Sequence, residues 1–462
     1  MAAMSYATAR RREANADLNK LFPEDRPVHE WYRFVLSFPP HLVRQYLERL
    51  GFDAGQRVLD PFCGTGTVLV ECKKQGIPSV GVEANPTAHF ASRVKLDWRP
   101  DPAELVEHAQ EVARAAEREL ARDGIHDELA RTVGVAEREL RRLPAEAERL
   151  LLTDSISPLP LHKTLVLLEC LDRHRNERYH HHERLALAKS LVLSSSNLHF
   201  GPEVGVGPPK RDAAVVAPWL DAVRAMADDL ALVASRRDVP AVAHHADSRH
   251  LGAVLEPASV DGVITSPPYP NEKDYTRTTR LESVLLGFVR DRAELRALKQ
   301  RLLRSNTRNV YQADDDDRWV AAHAEVQRIA EAIEARRIEL GKTSGFERLY
   351  GRVTRLYFGG MARHLAELRP ILRPGARLAY VVGDQASYLR VMIRTGQLLA
   401  DIARMLGYEF AEIELFRTRR ATATREELRE EVVVLRWPGQ RHADPAGVSP
   451  ALAVQRALAA LR

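Results

Sequence analysis

Apolar side chains recur along this chain in two rhythms. Leu42, Val43, Tyr46, Leu47 and Leu50 keep the spacing of one helical face and stop at Gly51, a residue that readily takes the left-handed turn ending a helix. Short continuous apolar runs, the signature of strands buried on both faces, then alternate with helical stretches. They begin with a strand over 57–59, a turn holding Gly64 and Gly66, a helix over 68–75, and a strand over 79–82 ending at Glu83. That is one βαβ unit. Strands resume over 240–244 and 260–264. A helix over 357–368, the turn Arg373-Pro374-Gly375, a strand over 376–382 and a helix over 396–405 follow, and the segments 409–416 and 430–436 read as a closing antiparallel hairpin. The fold class is α/β, an open and mostly parallel sheet with helical insertions.

Two stretches exceed what such a sheet needs. From about 101 to 237 the pattern is helical and rich in Ala, Glu, Arg and Leu, with a loop over 194–209 carrying Gly201, Pro202, Gly205, Gly207, Pro208 and Pro209. A second helical stretch runs from about 282 to 340, with a polar break over 306–317. The chain therefore divides into 1–99, the first part of the core with the glycine turn; 100–238, a helical insertion and candidate target-recognition region; 239–281, core again; 282–350, a second helical insertion; 351–440, the last part of the core; and 441–462, a tail.

Composition narrows the class. A chain of 462 residues with 45% apolar content is long enough for two to three domains. The net charge of +5 leans toward a polyanionic partner, although the excess is small for the length. Cys63, Cys72 and Cys170 form neither a metal spacing nor an even disulfide framework, which suits a reducing cytoplasm. No charged-then-apolar leader opens the sequence and no apolar run reaches the ~18 residues of a membrane span, so cytoplasmic localisation without membrane contact is expected.

Candidate chemistry sits at two strand ends. The turn Asp60-Pro61-Phe62-Cys63-Gly64-Thr65-Gly66-Thr67 follows the first strand, where ligands gather in open parallel sheets and where glycines let backbone approach a ligand closely. Glu83, about twenty positions on at the end of the second strand, stands where a ribose hydroxyl pair would be held. Asp247, just past a later strand, would suit the amine of an adenine, and it also reads as a helix N-cap.

Ser266-Pro267-Pro268-Tyr269 follows the strand over 260–264. Two prolines fix the backbone and remove two donors, so acceptors dominate the site. Acceptors at Ser266 and the Pro267 carbonyl suit an exocyclic amine, a poor nucleophile whose lone pair is delocalised into its ring, and Tyr269 offers a face on which an extruded base can stack. Neither a metal nor a covalent nucleophile is needed.

Motif, spacing and order from Phe38 through Tyr269, and on to the hairpin ending near Trp437, resemble the site-specific DNA amino-methyltransferases over the catalytic half of the chain. The resemblance implies a class I methyltransferase (Rossmann-like) sheet, S-adenosylmethionine as cofactor and DNA as partner, with a companion restriction enzyme of a restriction-modification pair as a further possible partner. It implies that Asp60, Phe62, Cys63, Gly64, Thr65, Gly66 and Thr67 bind the methionine end of the cofactor and that Glu83 binds ribose. Asp247 and Ser248 would flank adenine, Phe38 would belong to a cofactor segment upstream of the turn, and Ser266, Pro267, Pro268 and Tyr269 would be catalytic. A serine opening the tetrapeptide is commoner in the cytosine-N4 members, so methylation of cytosine N4 is expected; adenine N6, an RNA N-methyltransferase and a non-catalytic nucleic-acid-binding module are the alternatives. The long helical insertion between the second and third core strands departs from the family pattern.

Other features read more plainly. His180-His181-His182 cannot all face one ion, because neighbours on a helix point about 100° apart, so a solvated face is expected. Gly341-Lys342-Thr343-Ser344 lacks the upstream glycine of a phosphate loop, and the run Asp314 to Asp317 reads as a capping or solvated loop. The loop from Gly201 to Arg211, ending Pro208-Pro209-Lys210-Arg211, is stiff and basic enough to follow a phosphate backbone, and serves equally as a plain connection.

Overall fold

A computed structural model describes residues 18, 20–33, 37–128, 140–200, 204–271, 273–420 and 427–439. Seven strands form one sheet: β1 Val58–Asp60, β2 Ser79–Glu83, β5 Ala241–His245, β6 Val260–Thr265, β7 Leu372–Gly383, β8 Glu409–Arg420 and β9 Glu427–Arg436. Their order is β5-β2-β1-β6-β7-β9-β8. The first five are parallel, while β9 runs antiparallel to both β7 and β8. This is the expected α/β sheet with its closing hairpin. Strand order reverses between β1 and β6, so a crevice opens outside the carboxyl ends of those two strands.

Alternation along each strand sorts its side chains between two helical layers. Val58, Ile264, Ala379, Val381, Val432 and Val434 face helices Pro40–Arg49 and Thr67–Gln75, meeting Leu42, Val43, Leu47, Val68 and Cys72. Their neighbours Leu59, Val263, Leu378, Tyr380, Val382, Val433 and Leu435 face helices Tyr350–Leu368 and Thr395–Met405. Both faces being covered is why these strands read as unbroken apolar runs.

The first insertion is continuous with the core. Helices Pro102–Arg122, Pro158–Arg173, His180–Ser190 and Val216–Val233 share one apolar cluster with Leu69, Val70, Phe90 and Val94 of the core helices. The expected solvated histidine face is therefore a mistake. Helix His180–Ser190 packs against both Pro86–Leu96 and Val216–Val233, so His180 and His182 are each only 1% exposed. His182 Nε2 donates to the Asp97 carbonyl at 2.9 Å, and burial pushes the His180 pKa down to about 4.

Other expectations change in detail. Part of the loop over 194–209 is a hairpin of β3 Leu198–Phe200 and β4 Val204–Val206. Asn197 anchors it, accepting Gly207 N–H at its carbonyl and Lys210 N–H at its side chain; Gly201 and Pro202 lie outside the described residues. Arg373-Pro374-Gly375 is no turn between elements. It is a bulge inside β7, with Gly375 at φ +88° and a register shift opposite Val260 and Gly262. Of the acidic run, Asp316 is buried under Arg249 at 2.5 Å and Arg363 at 3.1 Å, and Asp314 pairs with Arg304 at 2.8 Å. Gly341 to Ser344 is an exposed turn after helix Ala324–Glu339. No described helix is long and apolar enough to cross a membrane.

Candidate active site

Asp60 ends β1 and Thr265 ends β6, side by side in the sheet. Beyond Asp60 the chain turns through Gly64 at φ +52° and Gly66 at φ +88° into helix Thr67–Gln75. Glu83 at the end of β2 holds that turn. Its Oε2 accepts the Gly64 N–H at 2.8 Å and its Oε1 the Asn85 N–H at 2.7 Å. Burial pushes this carboxyl's pKa up, against the pull of the backbone donors of Asn85, Gly64 and Ala84. Burial likewise lifts Asp60 to about 7, although the Thr265 hydroxyl and the Phe62 N–H favour its ionised form.

Ser266 to Tyr269 leaves the end of β6 with no N–H at Pro267 or Pro268. The Tyr269 ring lies against Gly383 at the end of β7, where an added Cβ would stand 2.9 Å from Cε2. Burial and the nearby Glu430 carboxylate raise the tyrosine pKa, opposed by a hydrogen bond from the Ser266 side chain. Tyr269 thus lies with its ring against the carboxyl end of β7.

Both motifs open on one cavity of about 450 Å³, an ordinary size for a small-molecule site. Its wall takes in the whole tetrapeptide Ser266 to Tyr269, together with Phe38, Phe62, Cys63 and Gly64. Thr65, Thr67, Glu83 and Ser248 also line it. Three expected residues stand behind the wall. Asp60 is 1% exposed and bridges the two strand ends. Gly66 packs so closely on Ser92 that a Cβ would come to 3.0 Å of its side chain. Asp247 is held by Arg249, which donates to both of its oxygens at 2.7 to 3.2 Å.

Ser248 owes its place to a buried relay. Its carbonyl accepts from His364 Nδ1 at 2.9 Å, and His364 Nε2 meets the Tyr380 hydroxyl at 2.8 Å. A carbonyl only accepts, so the proton is on Nδ1 and Tyr380 donates to Nε2. Burial keeps this imidazole neutral, with a pKa of about 4. The same ring lies edge-on to Phe62 at 4.9 Å, joining the relay to the cavity wall.

The cavity also shows residues that pattern reading missed: Asn271, Lys273, Asn309, Gln385, Arg417 and Glu430. A faint signal existed in β9, where Glu430 and Glu431 directly precede the apolar run Val432 to Leu435; both are buried, and Glu430 meets Arg417 at 2.5 Å.

The donor set fits a nucleoside cofactor. Each Glu83 oxygen keeps lone-pair capacity for a ribose hydroxyl after accepting one backbone N–H. A Cβ at Gly64 would meet nothing within 4 Å, so the bare backbone faces open space. Phe38 and Phe62 supply apolar contact. Among the described residues no cluster of three or more His, Cys, Asp or Glu could hold a metal.

Comparison with known proteins agrees with this geometry. A protein-family model described as DNA methylase matches residues 6–92. The Type II methyltransferase M.BsoBI of Geobacillus stearothermophilus is 25% identical over 442 residues, covering 87% of this chain and 83% of that protein. M.AvaI, a Type II methyltransferase of Nostoc, is 24% identical over 454 residues, covering 90% and 87%. M.MjaII of Methanocaldococcus jannaschii is 39% identical over 69 residues, covering 15% and 13%. The methyltransferases that this chain resembles use S-adenosylmethionine as methyl donor. The family-model match over residues 6–92 and the relatives aligned along most of their length support an amino-methyltransferase of the N4/N6 type.

Proposed function

We propose that this protein methylates the exocyclic amine of a base in DNA, N4 of cytosine, after the base has been extruded from the duplex. The observation that carries the reading is the single cavity on which the glycine turn and the Ser-Pro-Pro-Tyr segment both open. The family description as DNA methylase and the relatives named Type II methyltransferases support DNA as substrate, and a companion restriction enzyme belongs to the same reading. Serine at the head of the tetrapeptide favours cytosine over adenine.

Residue roles follow from position. Glu83 holds the ribose hydroxyls, Gly64 and Thr65 admit the methionine end, and Ser248, fixed by His364, borders the adenine. Asp60 and Asp247 act from behind, through Thr265 and Arg249. When bound, the cofactor supplies an electrophilic methyl group on a sulfonium. Ser266 offers its oxygen lone pairs to the amine hydrogens, and the Pro267 carbonyl adds a second acceptor. Tyr269 stacks on the base. As the amine nitrogen bonds the methyl carbon, the sulfur–carbon bond would break with its electron pair left on sulfur as a thioether, and the amine would release one proton to solvent. The insertion over 100–238 reads the target sequence.

The test is methyl transfer from tritiated cofactor to duplex DNA, followed by sequencing that distinguishes N4-methylcytosine from N6-methyladenine. Label in RNA but never in DNA would overturn the substrate; N6-methyladenine would overturn the base.

A further inference from the structure

The second insertion roofs the cavity, and its roof is fastened across the sheet. Past β5, Arg249 donates to the carbonyls of Gln300 at 3.2 Å and Arg301 at 3.3 Å. Past β7, the buried Tyr388 hydroxyl donates to the Ser305 carbonyl at 2.9 Å. Asn306 Nδ2 donates to the Lys273 carbonyl at 3.1 Å, in the loop just beyond Tyr269. Between these points the buried Arg304 guanidinium grips Asp314 through two bonds of 2.8 Å. Asn306 then caps the short turn Thr307–Asn309, accepting the Arg308 N–H at 3.0 Å.

What this mount presents is Asn309. It lines the cavity, is 1% exposed, and its side-chain oxygen has no hydrogen-bond partner. An unpaired buried amide is costly, and a rigidly held one is poised for a ligand. Position selects that ligand. Ser248, Glu83 and Gly64 gather at the ends of β5, β2 and β1, the nucleoside half of the crevice. Ser305 and Asn306, just before Asn309 in the chain, are fastened to the loops after β7 and β6, the half that holds Ser266 to Tyr269.

We propose that Asn309 is a specificity-determining residue that hydrogen bonds the extruded base, its Nδ2 donating to the ring nitrogen beside the exocyclic amine and its Oδ1 sharing, with the acceptors of the tetrapeptide, the amine hydrogen on that side. A carboxamide carries donor and acceptor in one plane. Cytosine N3 with N4, and adenine N1 with N6, both offer the complementary acceptor and donor. The inference rests on the reading that this cavity takes a base from DNA, and deepens it without depending on which of the two bases it is.

The experiment uses the full chain, once its target has been mapped by sequencing. Asn309→Ala and the near-isosteric Asn309→Asp should each lower kcat/KM for target DNA by about ten- to hundredfold, the loss expected of a buried donor. Cofactor affinity by calorimetry should stay within about twofold, since that half of the crevice is untouched. Unaltered protein should lose a similar factor on duplexes carrying 3-deazacytosine or 1-deazaadenine at the methylated position, and the variants should lose little more on those duplexes. Indifference of the unaltered protein to the deaza base, multiplying losses, or loss of cofactor affinity in folded variants would each overturn the assignment while leaving the methyltransferase reading intact. Absence of transfer from the unaltered protein to unmodified target DNA would remove that reading, and this inference with it.

Discussion

Thr265 donates its hydroxyl to Asp60 Oδ1 across 2.6 Å, joining residues 205 positions apart. Each is the last residue of its strand, and the two strands are paired neighbours, Leu59 opposite Val263. Ser266 follows the donor and Pro61 the acceptor, so one hydrogen bond sets the spacing between the two motifs. Asp60 also accepts the Phe62 N–H at 3.1 Å, which fixes the start of the glycine turn from behind.

Thr265→Val keeps the shape and removes the donor. The buried Asp60 carboxyl is left with a lost partner, so stability should fall by about 1–3 kcal/mol in urea unfolding. Because the bond serves both motifs, cofactor affinity and turnover should fall together. A variant whose turnover drops at unchanged cofactor affinity would show that Asp60 supports only the tetrapeptide side.

Gly383→Ala separates the two sides. The new Cβ would press on Tyr269 at 2.9 Å from Cε2 and 3.3 Å from Cδ2, so the ring must leave its seat. Turnover should drop by about tenfold or more, in line with a roughly 1–3 kcal/mol packing conflict. Cofactor affinity should hold. Tyr269→Ala and Ser266→Ala should behave likewise with larger losses, checked by single-turnover methyl transfer alongside calorimetry.

Gly64→Val attacks the opposite half. Its φ of +52° disfavours a β-branched side chain, and the Cβ would project into open cavity. The cofactor dissociation constant should rise about ten- to hundredfold, the size of a 1–3 kcal/mol steric conflict. Binding at the unaltered affinity in a folded variant would remove this turn from the cofactor site.

Glu282 gives a pH-dependent signature. It lies on the helix Arg280–Leu285 that follows the tetrapeptide, where Ser283 meets Thr87 at 2.6 Å. Its Oε1 accepts from Tyr32 at 2.6 Å and its Oε2 has no partner. Burial raises its pKa from the ordinary 4.5 to about 7. A folded value above the unfolded one means the native state binds the extra proton, so this group's contribution is present below about 4.5 and is lost as pH climbs toward 7. Glu282→Gln mimics the protonated acid. Relative to the unaltered protein it should gain about 2–4 kcal/mol between pH 4.5 and 8, by urea unfolding. His29, whose pKa burial lowers to about 4, shifts stability the other way but in both proteins alike. An unchanged difference across that range would mean that Glu282 stays ionised.

What could be read in advance follows from how local each signal is. The motifs were legible because each is contiguous and sits at a strand end, and the sheet because Val58 and Leu59, or Val263 and Ile264, face opposite layers within one apolar run. Long-range pairing was not legible. Asp316 looked solvated until Arg249, 67 residues away, and Arg363, 47 away, closed over it. His180 and His182 looked exposed because nothing local shows that their helix is covered on two sides. Asn309 carries no pattern at all, and only the bonds of Asn306 and Tyr388 place it in the cavity.

The same kind of anchoring bears on which cations are free to meet phosphate. Lys210 and Arg211 are the candidates of the stiff basic loop; the Lys210 ammonium donates to the Ser194 carbonyl at 2.7 Å and its N–H to Asn197 at 2.8 Å, while Arg211 stays exposed. Arg304 is buried on Asp314. Exposed cations of the second insertion include Arg301, which borders the cavity, and Arg308, which lies beside Asn309 in the chain. Phosphate contacts carry affinity without sequence, and each one removed lowers the salt dependence of binding by about one unit of log-log slope. Arg301→Ala and Arg308→Ala should therefore each weaken binding to every duplex alike and flatten the slope by about one, with the methylated sequence unchanged. Lys210→Ala should lower the melting temperature and leave the slope where it was, because the residue holds its own hairpin. Anisotropy titrations over a range of salt concentrations decide the matter: a flattened slope for Lys210→Ala beside unaltered slopes for the two arginines would return the phosphate contact to the loop.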